Sequence, residues 1–401
     1  MKILHTSDWH LGQNFMGKSR EQEHQAFFVW LLKTIQSNNI TLLIVAGDIF
    51  DTTTPPNYAL ELYYNFLKEL STIEDLTTVI VAGNHDSVAT LITSKQLLEA
   101  LNIHVITKGE EDENQLVPVY RKGQLYALVC AVPFLRDTVL REAVSGEGIK
   151  EREKLVNQGI KRHYDLRYQE ALQFLKKLGF TQKEIPIIAT GHLTTVGARS
   201  SESERDIYIG GTLDIGSDFL GKDFDYVALG HLHQNQKVGC EHVCYSGSPI
   251  PLSFSESKSI KRVNIIKFIV EKVVVTTLDI PIYRPLLQLK GSVEKIVEEL
   301  KAIENKETWI EVQLTCDDNP FASNQTIRTL AQELDLLLLV VKIDKSEKSL
   351  KAKDISVISL NDLGVNEVFE RRLEMEELEN DTFKKEILKT FKNLLNRVES
   401  Q

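Results

Sequence analysis

Short apolar runs that end abruptly in a polar residue recur through the first 233 positions of the chain. Each run is bounded by a small or hydroxyl-bearing residue, which is the pattern of a buried strand. Asp, Asn or His comes one or two residues after each run. Five strands of this kind would bring their polar ends together at one site, with Asp48 in its middle. The five runs are residues 3–7, 42–46, 78–82, 187–190 and 226–229.

Helical periodicity separates these strands in the first part of the chain. Residues 21–37 place Phe27 and Leu31 on one face, and residues 58–70 resume helical spacing after the turn at Pro55. Strands that alternate with helices are typical of α/β packing around a partly parallel sheet. A longer charged helix is expected at about residues 148–178. The fold class predicted from the pattern is α/β.

A change of composition near residue 255 indicates a domain boundary. Turn-forming residues fill positions 245–251, and residues 286–343 then have the pattern strand, helix, strand, helix, strand. That pattern predicts a small α+β unit with its own core. We therefore expect three parts: a main domain at 1–255, a second domain at 256–344, and a charged linker with a helical tail at 345–401.

The tail has the pattern of an amphipathic helix. Within residues 365–398, apolar side chains recur at spacings of four, three and four, at Ile387, Phe391, Leu394 and Val398. Little of the chain remains to cover such a stripe. Two interpretations stay open: the stripe lies in a groove of a partner protein, or it folds back on its own domain.

Composition and charge limit the classes of protein to which the chain can belong. The chain has 401 residues, 42% of them hydrophobic and 26% charged, which is ordinary for a globular protein. No signal peptide and no apolar run of membrane-spanning length is visible, so we expect a cytoplasmic protein. The net charge of −10 argues against a broadly basic nucleic-acid-binding surface. Any DNA contact would be local, helped by metal cations or supplied by a partner.

The cysteines point to no disulfide framework. Four of them, widely spaced in a chain of this size, are too few for one. Cys240, His242 and Cys244 could be read as part of a zinc site, but no second pair of ligands follows at finger-like spacing. Alternation along one strand explains the three residues better, and we treat them as structural.

Oxygen and nitrogen donors at the strand ends predict a metal centre. The set contains no thiolate, which favours manganese, iron or zinc over copper or calcium. Four donors would fill one metal site. Seven donors, one of them a carboxylate shared by two ions, fill two metal sites. Two ions about 3.5–4 Å apart can activate water and clamp the attacking and leaving oxygens of a phosphoester. The predicted ligands are Asp8, His10, Asp48, Asn84, His192, His231 and His233.

One further histidine has a separate expected role. His85 follows Asn84, so its side chain should point elsewhere than the ligand and could protonate or stabilise a leaving alkoxide. Asp86 or Asp51 could orient it. The remaining histidines lack the strand-end context and are left out of the site: His5, His24, His104, His163 and His242.

The order of these motifs resembles that of the calcineurin-like metallophosphoesterases. The matching motifs are Asp8-x-His10, Gly47-Asp48-x-x-Asp51, Gly83-Asn84-His85-Asp86, Gly191-His192 and Gly230-His231-x-His233. A closer resemblance, over essentially the whole chain, is to the nuclease subunits of bacterial SbcCD-type complexes. These are counterparts of the eukaryotic and archaeal double-strand-break repair nuclease. The segments that carry this resemblance are residues 5–15, 84–91, 191–198, 245–254 and 367–372.

The resemblance implies an architecture and an activity. It implies two packed sheets flanked by helices, a DNA-facing capping domain, and a tail that docks on an SbcC-type coiled-coil ATPase. The implied assembly is a homodimer within a heterotetramer. The implied reaction is manganese-dependent 3′–5′ exonuclease action on duplex DNA ends and endonuclease action on hairpins and single strands. His85 is the implied catalytic non-ligand. One implied ion is held by Asp8, His10, Asp48 and His233, and the other by Asp48, Asn84, His192 and His231.

Two alternatives to the nuclease prediction remain. A protein phosphatase or nucleotidase of the same superfamily is one, but phosphatases of this type carry Arg directly after Gly-Asp-x-x-Asp, where this chain has Thr52. A chain that chiefly tethers DNA or assembles a complex is the other, and the intact ligand set argues against it. Exposed basic residues at Lys18, Arg20 and Arg199 are candidates for phosphate contacts.

Overall fold

The fold is taken from a computed structural model. It describes residues 1–110, 113–140, 149–200, 203–204, 215–216, 218–269, 272–315 and 320–344, together with 387, 390 and 391. The strands in this part of the chain are β1 Lys2–Thr6, β2 Asn14–Phe15, β3 Lys18–Ser19, β4 Leu42–Ala46, β5 Thr77–Val81, β6 Ile103–Ile106, β7 Leu116–Arg121, β8 Gln124–Cys130, β9 Ile187–His192, β10 Tyr226–Gly230, β11 Gln236–Val238, β12 Cys240–Tyr245, β13 Arg262–Ile269, β14 Lys272–Asp279, β15 Leu286–Gly291, β16 Trp309–Thr315 and β17 Leu337–Asp344. The helices are α1 Glu21–Ser37, α2 Asn57–Ser71, α3 Val88–Ile92, α4 Lys95–Ala100, α5 Asp137–Leu140, α6 Ile149–Leu178, α7 Asp218–Asp223, α8 Val293–Lys301 and α9 Pro320–Glu333.

Two six-stranded sheets form the main domain. The first has the order β14-β13-β1-β4-β5-β6, and the second has the order β11-β12-β10-β9-β8-β7. Strands β1, β4, β5 and β6 are mutually parallel, as are β8, β9, β10 and β12. The carboxyl ends of the parallel strands in each sheet therefore meet at one edge, which is where an α/β sheet usually carries its site. The five strands predicted from the apolar runs are confirmed.

The two sheets pack face to face with helices outside them. A buried cluster that includes Ile44, Val79, Val129 and Ile188 fills the space between the sheets. Helices α1 and α2 cover the outer face of the first sheet, and α6 and α7 cover the outer face of the second. Because both faces of the central parallel strands are covered, β4, β5, β9 and β10 are buried at every position and do not alternate. The expected two-sheet α/β sandwich flanked by helices is confirmed.

The small α+β unit has the predicted order of elements. Its parallel sheet, β15-β16-β17, packs against α8 and α9 around a core that includes Ile296, Leu300, Ile310 and Ile327. Helix α9 begins at Pro320, so its first turn carries a proline, which is tolerated there. The unit therefore buries its own apolar layer, as the sequence pattern predicts.

The expected boundary at residue 256 is wrong. Strands β13 and β14 belong to the first sheet, because β13 pairs antiparallel with β1 and β14 pairs antiparallel with β13. Val263 and Ile266 on β13 are fully buried in the main domain. The physical cause is a long-range strand pairing that leaves no local mark in the sequence. The separate unit starts at β15 instead.

The described part of the chain contains no helix that is long and apolar enough to cross a membrane. The tail predicted at residues 365–398 lies outside the described residues, apart from Ile387, Thr390 and Phe391, which are helical. Cys240, His242 and Cys244 lie on alternate positions of β12, as expected for a structural strand.

Candidate metal centre

The carboxyl ends of five strands deliver the candidate ligands. In the first sheet, β1 leads into Asp8 and His10, β4 leads into Asp48, and β5 leads into Asn84. Strands β9 and β10 of the second sheet lead into the remaining histidines, His192, His231 and His233. The structure thus brings together all seven residues that the sequence predicts as ligands, at the adjoining ends of the two sheets.

Unusual backbone conformations aim these side chains. Asp8, His10, Asp48 and His231 all have positive φ, at 52°, 48°, 50° and 93°. Positive φ costs a non-glycine residue about 1–3 kcal/mol and persists where the surrounding structure imposes it. Backbone hydrogen bonds impose it here, since the amide of Asp8 donates to the carbonyl of Gly47 and the amide of His10 to the carbonyl of Asp48, at 2.9 and 3.1 Å.

Glycines allow the two sheet ends to approach each other. A Cβ on Gly47 would lie 2.2 Å from Nδ1 of His192, and a Cβ on Gly230 would lie 1.8 Å from the carbonyl oxygen of Ala46. No side chain fits at these separations. Glycine at positions 47 and 230 is therefore a packing requirement of the site.

Nitrogen and oxygen donors fall into three close groups among the described residues. Within each group, one donor atom per residue lies within 4.8 Å of the others. Two groups are fully buried, and the third, which contains His85, lies nearer the surface. The groups are Asp8 with His10 and His233; Asp48 with His192 and His231; and His10 with Asp51 and His85.

Asp48 lies between the groups. Its Oδ2 is 3.6 Å from Nε2 of His10 and 3.3 Å from Nε2 of His192. Burial alone would raise the pKa of this carboxyl, but the imidazoles of His192, His10 and His85 hold it well below its usual range. Asp48 is thus an ionised carboxylate that faces both buried groups.

His192 presents one defined nitrogen to the centre. Its Nδ1 donates to the carbonyl of Ala46 at 2.9 Å, so Nε2 faces Asp48 and lies 2.9 Å from Oδ1 of Asn84. Burial lowers the pKa of His192, but the attraction of Asp48 outweighs this and raises it to about 9. A bound cation would take the place of that proton, because metal ligands must be deprotonated.

The donor set fits divalent cations. Nε2 of His10 is buried and has no hydrogen-bond partner among the described residues, which would be costly unless a cation takes its lone pair. His231 lies nearby with a pKa well below its usual range, because it is buried and close to the charge of His192. Neutral imidazoles, carboxylates and an amide oxygen are the donors that manganese, iron and zinc accept.

His85 is arranged differently from the buried histidines. Its Nδ1 donates to the backbone carbonyl of Asp51 at 2.7 Å, and its backbone amide donates to Oδ1 of Asp48 at 2.9 Å. Its ring packs edge-on against that of His10, with centroids 4.9 Å apart. Asn84, His85 and Asp51 are only partly buried, whereas the other candidate ligands are buried.

Asp86 does not orient His85. Its buried carboxylate accepts hydrogen bonds from the backbone amides of Gly83, Ile49 and Phe50 at 2.8 to 3.1 Å. Three amides that converge on one carboxylate compete better for it than a neighbouring ring. Asp86 therefore joins the two loops that follow β4 and β5. The partner of His85 is the carbonyl of Asp51, whose carboxylate instead contacts Nδ1 of His10 at 3.1 Å.

The histidines left out of the predicted site have structural partners. His5 contacts the hydroxyl of Tyr226 at 2.9 Å, and burial lowers its pKa to about 3. His24 contacts the carbonyl of Trp9 at 2.8 Å. None of the five left-out histidines belongs to a close donor group in the part of the chain that the structure describes.

Arg20 is not an exposed basic residue. Its side chain is fully buried, pairs with Glu23 at 2.7 Å, and lies over the rings of Phe15 and Trp309 at 4.9 and 5.3 Å. It therefore joins the loop after β1 to the small α+β unit. Lys18 and Arg199 are exposed, as expected.

Sequence reasoning missed the residues behind His233. Ser203, Glu256 and Lys261 lie within hydrogen-bond reach of it or of one another, in loops with no strand-end pattern. A buried lysine next to a glutamate is visible only in the folded structure.

Comparisons with known proteins identify the family of the chain. A family model described as calcineurin-like phosphoesterase matches residues 1–235, and one described as type 5 capsule protein repressor C-terminal domain matches residues 282–377. The SbcD subunit of nuclease SbcCD from Escherichia coli (strain K12) is 40% identical over 389 residues, 94% of each chain. The proteins of the same name from Bacillus subtilis (strain 168) and Rhodobacter capsulatus are 34% and 35% identical over 66% and 64% of each chain.

The fold and the strand-end motifs define a calcineurin-like phosphoesterase, a metal-using hydrolase of phosphate esters. Within that class, the chain belongs to the SbcD family, the nuclease subunits of SbcCD.

Proposed function

We propose that this chain is the nuclease subunit of an SbcCD-type complex, and that it hydrolyses phosphodiester bonds of DNA with two metal ions. Its proposed actions are 3′–5′ removal of nucleotides from duplex ends and endonucleolytic cleavage of hairpins and single strands. The single observation that supports the chemistry best is the position of Asp48, whose Oδ2 faces His10 and His192 in two different donor groups.

The proposed ligand sets follow the donor groups. One ion is assigned to Asp8, His10, Asp48 and His233, and the other to Asp48, Asn84, His192 and His231. The close groupings of Asp8 with His10 and His233, and of Asp48 with His192 and His231, support this division. Manganese is the proposed metal, since the donors are hard or borderline and no thiolate is among them.

Two divalent ions bound here supply Lewis-acid polarisation of the phosphate and lower the pKa of water. The chain's own contribution is to hold the donors. The backbone amide of His231 donates to Oδ1 of Asp8 at 2.8 Å. A candidate ligand of the first sheet thus fixes the loop that carries a candidate ligand of the second sheet. Asp51 holds Nδ1 of His10, which directs Nε2 of that ring towards Asp48.

His85 is the proposed proton donor to the leaving oxygen. A carbonyl oxygen only accepts hydrogen bonds, so the contact with Asp51 requires a proton on Nδ1 of His85. The second nitrogen, Nε2, is then the one that gains and loses a proton. Because His85 is partly exposed beside Asp48, Nε2 can reach the phosphoester of a bound strand.

We also propose the assembly and the division of the chain. The curated relatives are named as subunits of SbcCD, and an SbcC-type ATPase is the proposed partner, with DNA ends and hairpins as substrates. A homodimer within a heterotetramer and a cytoplasmic location complete the proposal. The unit that starts at β15 is the proposed DNA-facing cap, and residues 345–401 are the proposed docking tail.

Cleavage by the purified full-length chain in manganese tests the function. An end-labelled linear duplex and a small phosphomonoester are compared, with and without a chelator. Chelator-sensitive release of nucleotides with little monoester turnover supports the nuclease. Rapid monoester turnover with intact DNA would move the chain to a phosphatase or nucleotidase, and the cap would then need another role.

A further inference from the structure

The backbone of His233 is held at both ends of the residue. Its amide donates to Oε1 of Glu204 at 2.7 Å. Its carbonyl accepts from the amide of Ser248 at 3.2 Å and from Nζ of Lys261 at 3.0 Å. The main chain of this candidate ligand is therefore fixed independently of its ring.

The ring of His233 is held by a chain of polar groups. Nδ1 lies 2.6 Å from Oγ of Ser203 and 3.5 Å from Oε1 of Glu256. Ser203 donates its hydroxyl proton to Glu256, and Lys261 donates to the other oxygen of the same carboxylate. Glu256 and Lys261 are 3% and 7% exposed, so the ion pair is buried, whereas Ser203 is partly buried.

The direction of these hydrogen bonds fixes the tautomer of the ring. An ionised carboxylate can only accept hydrogen bonds, so the hydroxyl of Ser203 must donate its proton to Glu256. The oxygen of Ser203 then accepts, which requires a proton on Nδ1 of His233. The lone pair of the ring is consequently on Nε2, the nitrogen left for the donor group with Asp8 and His10.

We propose that Ser203, Glu256 and Lys261 are positioning residues that act through His233 and set the affinity of one of the two metal ions. This inference rests on the proposed two-metal function. Glu256 supplies the acceptor that orders the hydroxyl, and Lys261 balances the charge of Glu256 while also gripping the carbonyl of His233. Partners of this kind typically alter metal affinity by about 10- to 100-fold when they are removed.

The location of the network separates it from the strand-end motifs. Glu256 lies in a short 3₁₀ turn, Phe254–Glu256, and Lys261 precedes β13. The candidate ligands lie at or just after the ends of apolar strands, whereas Glu256 and Lys261 do not. The segment between β12 and β13, which connects the second sheet to the first, therefore positions His233 in the loop after β10.

Manganese titration of the metal-free full-length chain by calorimetry tests the inference. Ser203→Ala and Glu256→Gln are compared with Glu311→Gln, a matched control in which a buried glutamate in the small α+β unit pairs with Lys342 at 2.7 Å. We expect about 10- to 100-fold weaker binding at one site in the first two variants, with the other site unchanged. Glu311→Gln should bind both ions as the unaltered chain does.

A double-mutant cycle separates positioning from general destabilisation. In a His233→Ala background, Ser203→Ala and Glu256→Gln should weaken manganese binding by less than about twofold, because residues that act through one partner are not additive. An unchanged affinity in both single variants, or an equal further loss in the His233→Ala background, would overturn the positioning role and leave the two-metal proposal standing. Failure of the unaltered chain to bind two ions would overturn both.

Discussion

The backbone amide of His85 donates to Oδ1 of Asp48 at 2.9 Å, while Oδ2 of the same carboxylate faces His10 and His192. One carboxylate thus serves two purposes. It lies between the two buried donor groups, and it fixes the residue proposed to protonate the leaving group. In the proposed mechanism, metal binding and proton transfer are therefore coupled through the two oxygens of a single side chain.

Replacement of Asp48 should remove both functions together. Asp48→Ala is expected to lose binding of both metal ions and to reduce manganese-dependent DNA cleavage to background, because both proposed ligand sets share this carboxylate. Calorimetry and a nuclease assay measure the two effects. Asp279→Ala, which removes an exposed aspartate paired with Arg262, is the control and should retain both. Appreciable cleavage by Asp48→Ala would exclude the shared-ligand assignment.

His85→Leu should separate chemistry from metal binding. We expect both ions to bind with unchanged affinity and cleavage to fall by about 10²- to 10⁴-fold, the usual contribution of a general acid. His104→Leu, outside the donor groups, is the histidine control. His85 also lies in the close group with His10 and Asp51. If His85→Leu loses an ion, that third group is a metal site and the assigned role of His85 is wrong.

The glycine before Asn84 should not tolerate a methyl group. A Cβ on Gly83 would lie 2.2 Å from Oδ1 of Asp48, so Gly83→Ala must displace the central carboxylate. We expect weaker binding of both ions and a loss of about 1–3 kcal/mol in the free energy of unfolding. Gly216→Ala, where a Cβ would have no neighbour within 4 Å, should change neither. Metal affinity of Gly83→Ala equal to that of the unaltered chain would contradict this packing argument.

Much of the fold and the candidate site could be predicted because local patterns carry it. An uninterrupted apolar run such as residues 42–46, followed by Gly-Asp, marks both a buried strand and the direction of its polar end. Parallel strands then bring such ends to one edge, whatever the distance between them in the chain. The convergence of Asp8, Asp48 and Asn84 at one edge of the first sheet follows from this rule without any knowledge of loops.

Other features could not be predicted because they depend on pairings between distant segments. Strand β13 adds to β1 across more than 250 residues, and nothing in its own sequence distinguishes a sheet edge from the start of a new domain. The partner of His85 is a backbone carbonyl, which any residue at position 51 would supply. From the sequence, Asp86 could orient the ring of His85. In the structure, Asp86 lies beside three backbone amides, and its carboxylate accepts hydrogen bonds from them.

Deletion of the tail should separate catalysis from assembly. The main domain and the small unit end at β17 and contain every donor of the candidate centre. A chain lacking residues 365–401 is therefore expected to hydrolyse phosphodiester bonds at the rate of the full chain and to fail to bind the SbcC-type ATPase. Co-purification with the ATPase and the nuclease assay measure the two properties. An undiminished complex would locate the docking surface elsewhere.

Stability should fall in mild acid because of a histidine remote from the proposed ligands. His5 is fully buried and neutral, with a pKa near 3 in place of 6.5, so the unfolded chain binds more protons than the folded chain below pH 6.5. The contribution of neutral His5 is thus complete above pH 6.5 and is lost as the pH falls towards 3, by about 2 kcal/mol at pH 5. Urea unfolding of the metal-free chain at pH 7.5 and pH 5, compared with His5→Gln, measures it. The variant should lose about 2 kcal/mol less between the two pH values. An identical loss in both proteins would show that His5 is not the group that senses acid.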